Sequence, residues 1–130
     1  AGSDRWQRAL ILQWMFFEQY SHEPNIATLR FWHFAKLLAD KSPQEIAAKR
    51  TWGDAALAVM EQHLARTRWF VGERFTIADI ALFAYTHVAG EGGFDLTRYP
   101  AVQRWIARVE AQPRFVPITH DFGAPASPMP

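Results

Sequence analysis

A single aspartate inside an apolar run constrains this chain more than any other feature of its sequence. In GERFTIADIALF, residues 72–83, Asp79 stands in the first turn of a segment otherwise made of Ile, Ala, Leu and Phe. A carboxylate there must be solvated, paired or hydrogen-bonded, because burying an unpaired charge is costly. The pattern Thr76-x-x-Asp79 is typical of a capping box, in which the hydroxyl and the carboxylate each accept from the other residue's backbone N–H. Phe75 and Ile80 then predict a hydrophobic staple.

Asp79 has an alternative interpretation as a catalytic acid or a metal ligand. Either role needs a second ligand or base at a useful spacing, and the sequence offers none. The five histidines form no His-x-x-x-His or His-x-x-Glu pattern, and there is no cysteine. The sequence therefore favours a structural Asp79 and predicts no metal site.

The spacing of apolar residues predicts an all-α bundle of about five or six helices, with no strand pattern. Apolar residues three and four apart over residues 6–38 predict one long helix kinked near Pro24, or two helices in line. Ser42, Pro43 and Glu45 have the pattern of a capped helix start. Further helices are expected over residues 43–68, 77–89 and 100–111, with a short last helical turn bracketed by Pro113 and Pro117. The helix at 77–89 is apolar nearly all round, which predicts burial.

Composition excludes several classes of function. The net charge is +1 and the basic residues are scattered, so nucleic-acid binding is not predicted. No apolar run is long enough to span a membrane, no signal peptide is seen, and the lack of cysteine fits a cytoplasmic protein. We interpret residues 1–3 as a cloning remnant, 4–118 as one helical domain and 119–130 as an irregular Gly/Pro/Ser-rich tail.

Two segments carry a family resemblance. FVGERFTIADIALFAYTH, followed by YPAVQRWIARVEAQPRF, resembles the C-terminal helical domain of the glutathione S-transferases, with its capping box, its staple and its Tyr-Pro helix. LQWMFFEQYSHEPNIATLRFW is similar to the first helix of that domain in bacterial members. The resemblance covers nearly the whole chain.

The resemblance implies a two-domain parent enzyme. In that family a thioredoxin-like N-terminal domain binds most of the glutathione and supplies the thiol-activating residue, while the helical domain supplies much of the hydrophobic substrate pocket and part of a homodimer interface. This sequence has no βαβ run, so the thioredoxin-like domain is the missing partner. We therefore expect glutathione to be the co-substrate of the intact enzyme. The isolated chain is expected to bind no cofactor, to hold no catalytic residue and to be inactive.

The polar segment FEQYSHEP, in the middle of an apolar helix, is the best place to look for ligand contacts, because polar groups there need partners. The resemblance places Glu18 and Gln19 where an acidic residue reaches the γ-glutamyl amine of glutathione. It places His22 and Glu23 near the position at which some bacterial members have a helical-domain histidine close to the thiol. The alternative is a solvated or interface surface around the proline.

Four other residues are candidates for the substrate pocket. Met15 and Phe16 line either that pocket or the core, with the core favoured, and Arg30 and Trp32 lie one turn beyond the proline. A different function stays open for the whole chain, namely a stand-alone helical protein–protein interaction module of the same fold. The wide apolar surface of residues 6–17 fits either function.

Overall fold

The fold is built from five α-helical segments and three short 3₁₀ helices in a computed structural model, which describes the backbone of residues 2–121 and the side chains of residues 4–121. The α-helices are α1 (Gly2–Phe17), α2 (Glu23–Phe34), α3 (Pro43–Leu64), α4 (Ile77–Thr86) and α5 (Pro100–Glu110). The 3₁₀ helices are Leu38–Asp40, Ala89–Gly92 and Leu96–Arg98. Residues 2–121 contain no strand, so the predicted all-α class is confirmed.

A π-helical segment, Glu18–His22, joins α1 to α2 without a break. Pro24 has no N–H to donate, so an ordinary α-helical register cannot continue through it. The chain shifts register just before the proline, where the N–H of Glu23 bonds to the carbonyl of Glu18. Lys49 of α3 donates to the carbonyl of Pro24 at 2.8 Å. Of the two predicted alternatives, one long helix interrupted near Pro24 is closer to the structure than two helices in line. We call α1, the π-helical segment and α2 together the rod. If the rod is counted once, the described residues contain four continuous helices, slightly fewer than the expected five or six.

Asp79 anchors the middle of the bundle. Its side chain has no exposed surface. Oδ2 accepts from the N–H of Thr76 at 2.9 Å, and the Thr76 hydroxyl accepts in return at the start of α4. Oδ1 accepts from the N–H of Phe70 at 3.1 Å and from Nε1 of Trp105 at 2.9 Å. The carboxylate therefore ties together α4, α5 and the loop before α4.

The prediction that α4 is a buried helix is correct for one side of the helix and wrong for the other. Ile77 and Ile80 are both more than half exposed, and they lie three residues apart on one side of the helix. The opposite side contributes Ala78, Leu82 and Phe83 to the core. Phe75 and Ile80, the expected staple pair, line one groove on this surface. One side of α4 is thus apolar and uncovered.

The start of α5 is capped by a residue of another helix. Tyr99 precedes the helix but provides no side-chain cap. The carboxylate of Glu61, in α3, accepts from the N–H groups of Ala101 and Val102, each at 2.9 Å. The first-turn N–H groups of a helix need such acceptors. Glu61 therefore holds α5 against α3.

Several predicted boundaries need correction. Helix α1 includes Gly2 and Ser3, which we expected to lie outside the helical domain, and α3 and α4 end earlier than expected. Residues 113–117 form no helix: a turn covers 113 and 114, the Phe115 N–H bonds to the Gln112 carbonyl, and 115–117 are irregular. Most of the expected tail, residues 122–130, lies outside the described residues. Among the helices of the described part, none has the length and apolar character needed to cross a bilayer.

Candidate functional site

An acidic cluster forms where the π-helical segment meets α2. The side-chain amide of Gln19 donates to Glu18 Oε2 at 2.8 Å and to Glu23 Oε2 at 2.6 Å. Hydrogen bonds in a π-helix join residues five apart, which brings Glu18 and Glu23 to the same side of the rod. We call Glu18, Gln19 and Glu23 the acidic cluster.

The cluster has an inner and an outer carboxylate. Glu18 is buried, Glu23 is half-buried and Gln19 is exposed. Burial raises the pKa of Glu18 above its usual value, the Gln19 hydrogen bond opposes that shift, and the nearby Glu23 charge adds to it. No cation is paired with these carboxylates in the described part of the chain. Chemically, the cluster suits an ammonium group that approaches from the Glu23 side.

His22 lies on the other side of the rod, in the core. Its Nε2 is 2.7 Å from the Thr86 hydroxyl, which itself donates to the carbonyl of Leu82 at 2.6 Å. Because the hydroxyl proton is used there, Nε2 carries the imidazole proton. Nδ1 is buried without a hydrogen-bond partner among the described residues. Burial lowers the pKa of His22 to about 4, so the ring is neutral at pH 7.

A groove between α2 and α4 begins at the acidic cluster. It has a volume of about 370 Å³ and is lined by Glu23, Ala27, Thr28, Arg30, Phe31, Phe34 and Tyr85. A neighbouring depression of about 400 Å³ is lined by Arg30, His33, Phe34 and Glu91. We call both together the α2 groove. Phe34 is 82% exposed, so the groove has an apolar, open wall.

Arg30 and Glu91 form an ion pair at the far end of this groove. Arg30 Nε lies 2.6 Å from Glu91 Oε2. The glycine after Glu91 makes the approach possible, because a Cβ on Gly92 would stand 2.9 Å from the backbone nitrogen of Arg30. Arg50 Nη1 also donates to the carbonyl of Gly93 at 2.6 Å. The loop that carries Glu91 therefore packs directly against α2.

The family called "Glutathione S-transferase, C-terminal domain" matches residues 10–113. The chain belongs to this family. The crystal structure of a glutathione S-transferase from Pseudomonas fluorescens Pf-5 is similar, with a TM-score of 0.84, 53% identity, and coverage of 88% of this chain and 57% of that one.

Two curated proteins are also similar to this chain. Disulfide-bond oxidoreductase YfcG of Escherichia coli K12 is 28% identical over 107 residues, which are 82% of this chain and 49% of that protein. Elongation factor 1-gamma of Artemia salina is 31% identical over 127 residues, which are 93% of this chain and 28% of that protein. This chain spans half or less of the length of these two relatives.

The remaining candidates of this glutathione S-transferase domain lie away from the groove. Met15 is half-buried and Phe16 is exposed. The ring centroids of Phe16 and Tyr20 are 6.3 Å apart. Trp32 is buried in the core, and Lys41 Nζ lies 4.7 Å from its ring centroid. Of the four substrate-pocket candidates, only Arg30 lines the α2 groove.

Sequence reasoning missed seven groove residues: Ala27, Thr28, Phe31, His33, Phe34, Tyr85 and Glu91. Phe31 and Phe34 follow Glu23 and Ala27 at helical spacing, so this pattern was available in the sequence. Tyr85 and Glu91 come from α4 and its following loop, and only the packing of these elements on α2 reveals them. Within residues 4–121, no group of His, Asp and Glu side chains is arranged to hold a metal ion.

Proposed function

We propose that this domain forms the hydrophobic substrate pocket and part of the dimer interface of a bacterial-type, cytoplasmic glutathione S-transferase. The intact enzyme conjugates or reduces electrophilic substrates with glutathione. One observation carries the proposal: Glu23 belongs both to the acidic cluster and to the α2 groove. A site for an amine and a site for an apolar group are therefore continuous.

The acidic cluster supplies the contact to glutathione in this proposal. The γ-glutamyl end of glutathione carries an ammonium group, and charge-assisted hydrogen bonds to carboxylates are among the stronger polar contacts. Glu23 and Gln19 reach solvent, so they make the direct contact, and Glu18 supports them from inside. His22 is buried behind this surface and acts through the packing of the rod.

A thioredoxin-like domain supplies the thiol chemistry. A nucleophilic thiolate needs a group that lowers its pKa, and we assign that group to the partner domain. The exposed apolar residues of α1 and α4, which include Trp6, Phe16, Ile77 and Ile80, give that domain a surface to cover. A second apolar groove of about 500 Å³, between the π-helical segment and α3, holds the exposed Tyr20 and Trp52 and is our candidate for the dimer interface.

Calorimetry with glutathione tests the proposal. The chain alone is compared with a fusion in which it follows the N-terminal domain of the Pseudomonas fluorescens relative. We expect saturable binding by the fusion and none by the chain alone. A folded fusion that neither binds glutathione nor turns over an electrophile would contradict the proposal.

A protein–protein interaction module is the second candidate. It is favoured by the match to elongation factor 1-gamma over 93% of this chain and by the same exposed apolar residues. A folded fusion without glutathione binding, together with a chain that captures a protein partner through Trp6 and Ile80, would support this candidate instead.

A further inference from the structure

The α2 groove is electrically asymmetric along its length. Glu23 stands at one end, with Glu18 behind it, and Arg30 stands at the other. The two ends are seven residues apart on one helix, which corresponds to about 10 Å. Ala27 and Phe31 lie between them. A ligand in this groove therefore meets negative charge, then an apolar surface, then the guanidinium of the Arg30–Glu91 ion pair.

Arg30 keeps part of its binding capacity free. Its Nε is bonded to Glu91, but no side-chain hydrogen bond within the described residues involves its two Nη groups. The side chain is 28% exposed and lines both parts of the groove. A guanidinium can bind a planar or tetrahedral oxyanion through two N–H donors at once. The Nη groups are thus available to an anionic group in the groove.

The fold holds this guanidinium in place before any ligand binds. Gly92 packs against the Arg30 backbone, and Arg50 holds the next carbonyl of the same loop. These contacts bring Glu91 to Arg30 across 61 residues of sequence. A side chain that is already ordered loses less conformational entropy when it binds a ligand.

We propose that the α2 groove selects aromatic ligands that carry an anionic group, such as a sulfonate or carboxylate, and that Arg30 is the residue that selects them. The aromatic body lies along Phe31, Phe34 and Tyr85, and the anionic group lies at Arg30, away from the carboxylates of the acidic cluster. The claim that Arg30 selects among electrophilic substrates rests on the proposed function. The preference for aromatic ligands with an anionic group is a property of this chain alone.

Two fluorescent probes with the same aromatic body test the preference on this chain. 1-Anilinonaphthalene-8-sulfonate carries a sulfonate, and N-phenyl-1-naphthylamine lacks it. We expect Arg30→Gln to weaken binding of the sulfonate about tenfold and binding of the neutral probe less than about twofold. Glu91→Gln keeps an oxygen acceptor for Arg30 Nε but removes the competing negative charge, so it should strengthen sulfonate binding. Phe34→Ala should weaken binding of both probes.

Controls separate a binding effect from a folding effect. Arg98→Gln removes an exposed arginine that is paired with Asp54, and it should leave both affinities unchanged. Arg30→Lys keeps the charge but loses the paired donors, so its sulfonate affinity should lie between those of the wild type and Arg30→Gln. Circular dichroism checks that each variant is folded.

The proposal is overturned if folded Arg30→Gln and Arg30→Lys bind the sulfonate as the wild type does, or lose both probes equally. This outcome is independent of glutathione binding by the fusion. A failed preference for the sulfonate beside intact glutathione binding overturns this inference alone. A retained preference without glutathione binding overturns the proposed function alone.

Discussion

Trp105 Nε1 donates a 2.9 Å hydrogen bond to Oδ1 of Asp79, which lies 26 residues earlier in the chain. The same oxygen accepts from Phe70, and the other oxygen accepts from Thr76. An aspartate in an apolar run is therefore stable because donors from three parts of the chain converge on it. The capping box is one part of a larger tertiary junction.

Asp79→Ala should destabilise the domain severely. It leaves three N–H donors without their acceptor, and each buried unsatisfied donor costs about 1–3 kcal/mol. We expect a loss of at least about 3 kcal/mol in the free energy of unfolding, measured with urea. Trp105→Phe removes one of these hydrogen bonds and is the matched variant, with an expected smaller loss. An Asp79→Ala protein within about 1 kcal/mol of the wild type would contradict this role.

Glu61 should stabilise α5 from α3. Replacing it with alanine removes the acceptor of two first-turn N–H groups, so we expect a loss of about 1–2 kcal/mol. The neighbouring Gln62 is exposed, and Gln62→Ala should change the free energy of unfolding by less than about 0.5 kcal/mol. Equal effects of the two substitutions in urea unfolding would show that Glu61 is not a cap.

Substitutions of Gly92 and Gly90 test how closely the loop that carries Glu91 packs against α2. A Cβ at Gly92 would press on the Arg30 backbone, whereas a Cβ at Gly90 meets nothing within 4 Å. Gly92→Ala should cost about 1–3 kcal/mol, as overpacking typically does. Gly90→Ala should be close to neutral. Thermal unfolding of both proteins compares them, and similar melting temperatures would argue against close packing of this loop on α2.

His22 should make stability depend on pH. Unfolded His22 takes up a proton below pH 6.5, whereas the folded residue does so only near pH 4. Unfolding therefore binds a proton in this window, and stability falls as the pH drops through it. Between pH 7 and pH 5 the wild type should lose about 2 kcal/mol that His22→Gln does not lose.

Urea unfolding at both pH values measures this difference. Glu18, whose pKa is raised, works in the opposite direction, because its burial penalty disappears as it becomes protonated. Because the wild type and His22→Gln both contain Glu18, the difference between their free energies of unfolding excludes the Glu18 contribution. Parallel pH profiles of the two proteins would contradict the assignment of a buried neutral imidazole.

The sequence predicted what depends on local spacing. The bundle class, the helix starts at Ser42 and Thr76 and the polar segment before Pro24 all follow from periodicity and capping patterns. The donors from Phe70 and Trp105 to Asp79 could not be predicted, because they depend on how distant elements pack. The same holds for the pairing of Arg30 with Glu91.

The site residues show the same limit. The sequence indicates the segment containing Glu18, Gln19, His22 and Glu23 as a unit, but an α-helical period cannot separate its two sides. The π-helical register turns His22 into the core and brings the two glutamates together. Whether these residues contact glutathione stays a prediction.

The most direct test of the central claim compares glutathione with its desamino analogue, which lacks the γ-glutamyl ammonium group. Calorimetry on the two-domain fusion gives both dissociation constants for the wild type, Glu23→Gln and the control Glu110→Gln, whose site is exposed on α5. We expect Glu23→Gln to weaken glutathione binding about tenfold and to leave binding of the analogue unchanged. Equal affinities of the wild type and Glu23→Gln for glutathione would contradict an amine site at the acidic cluster.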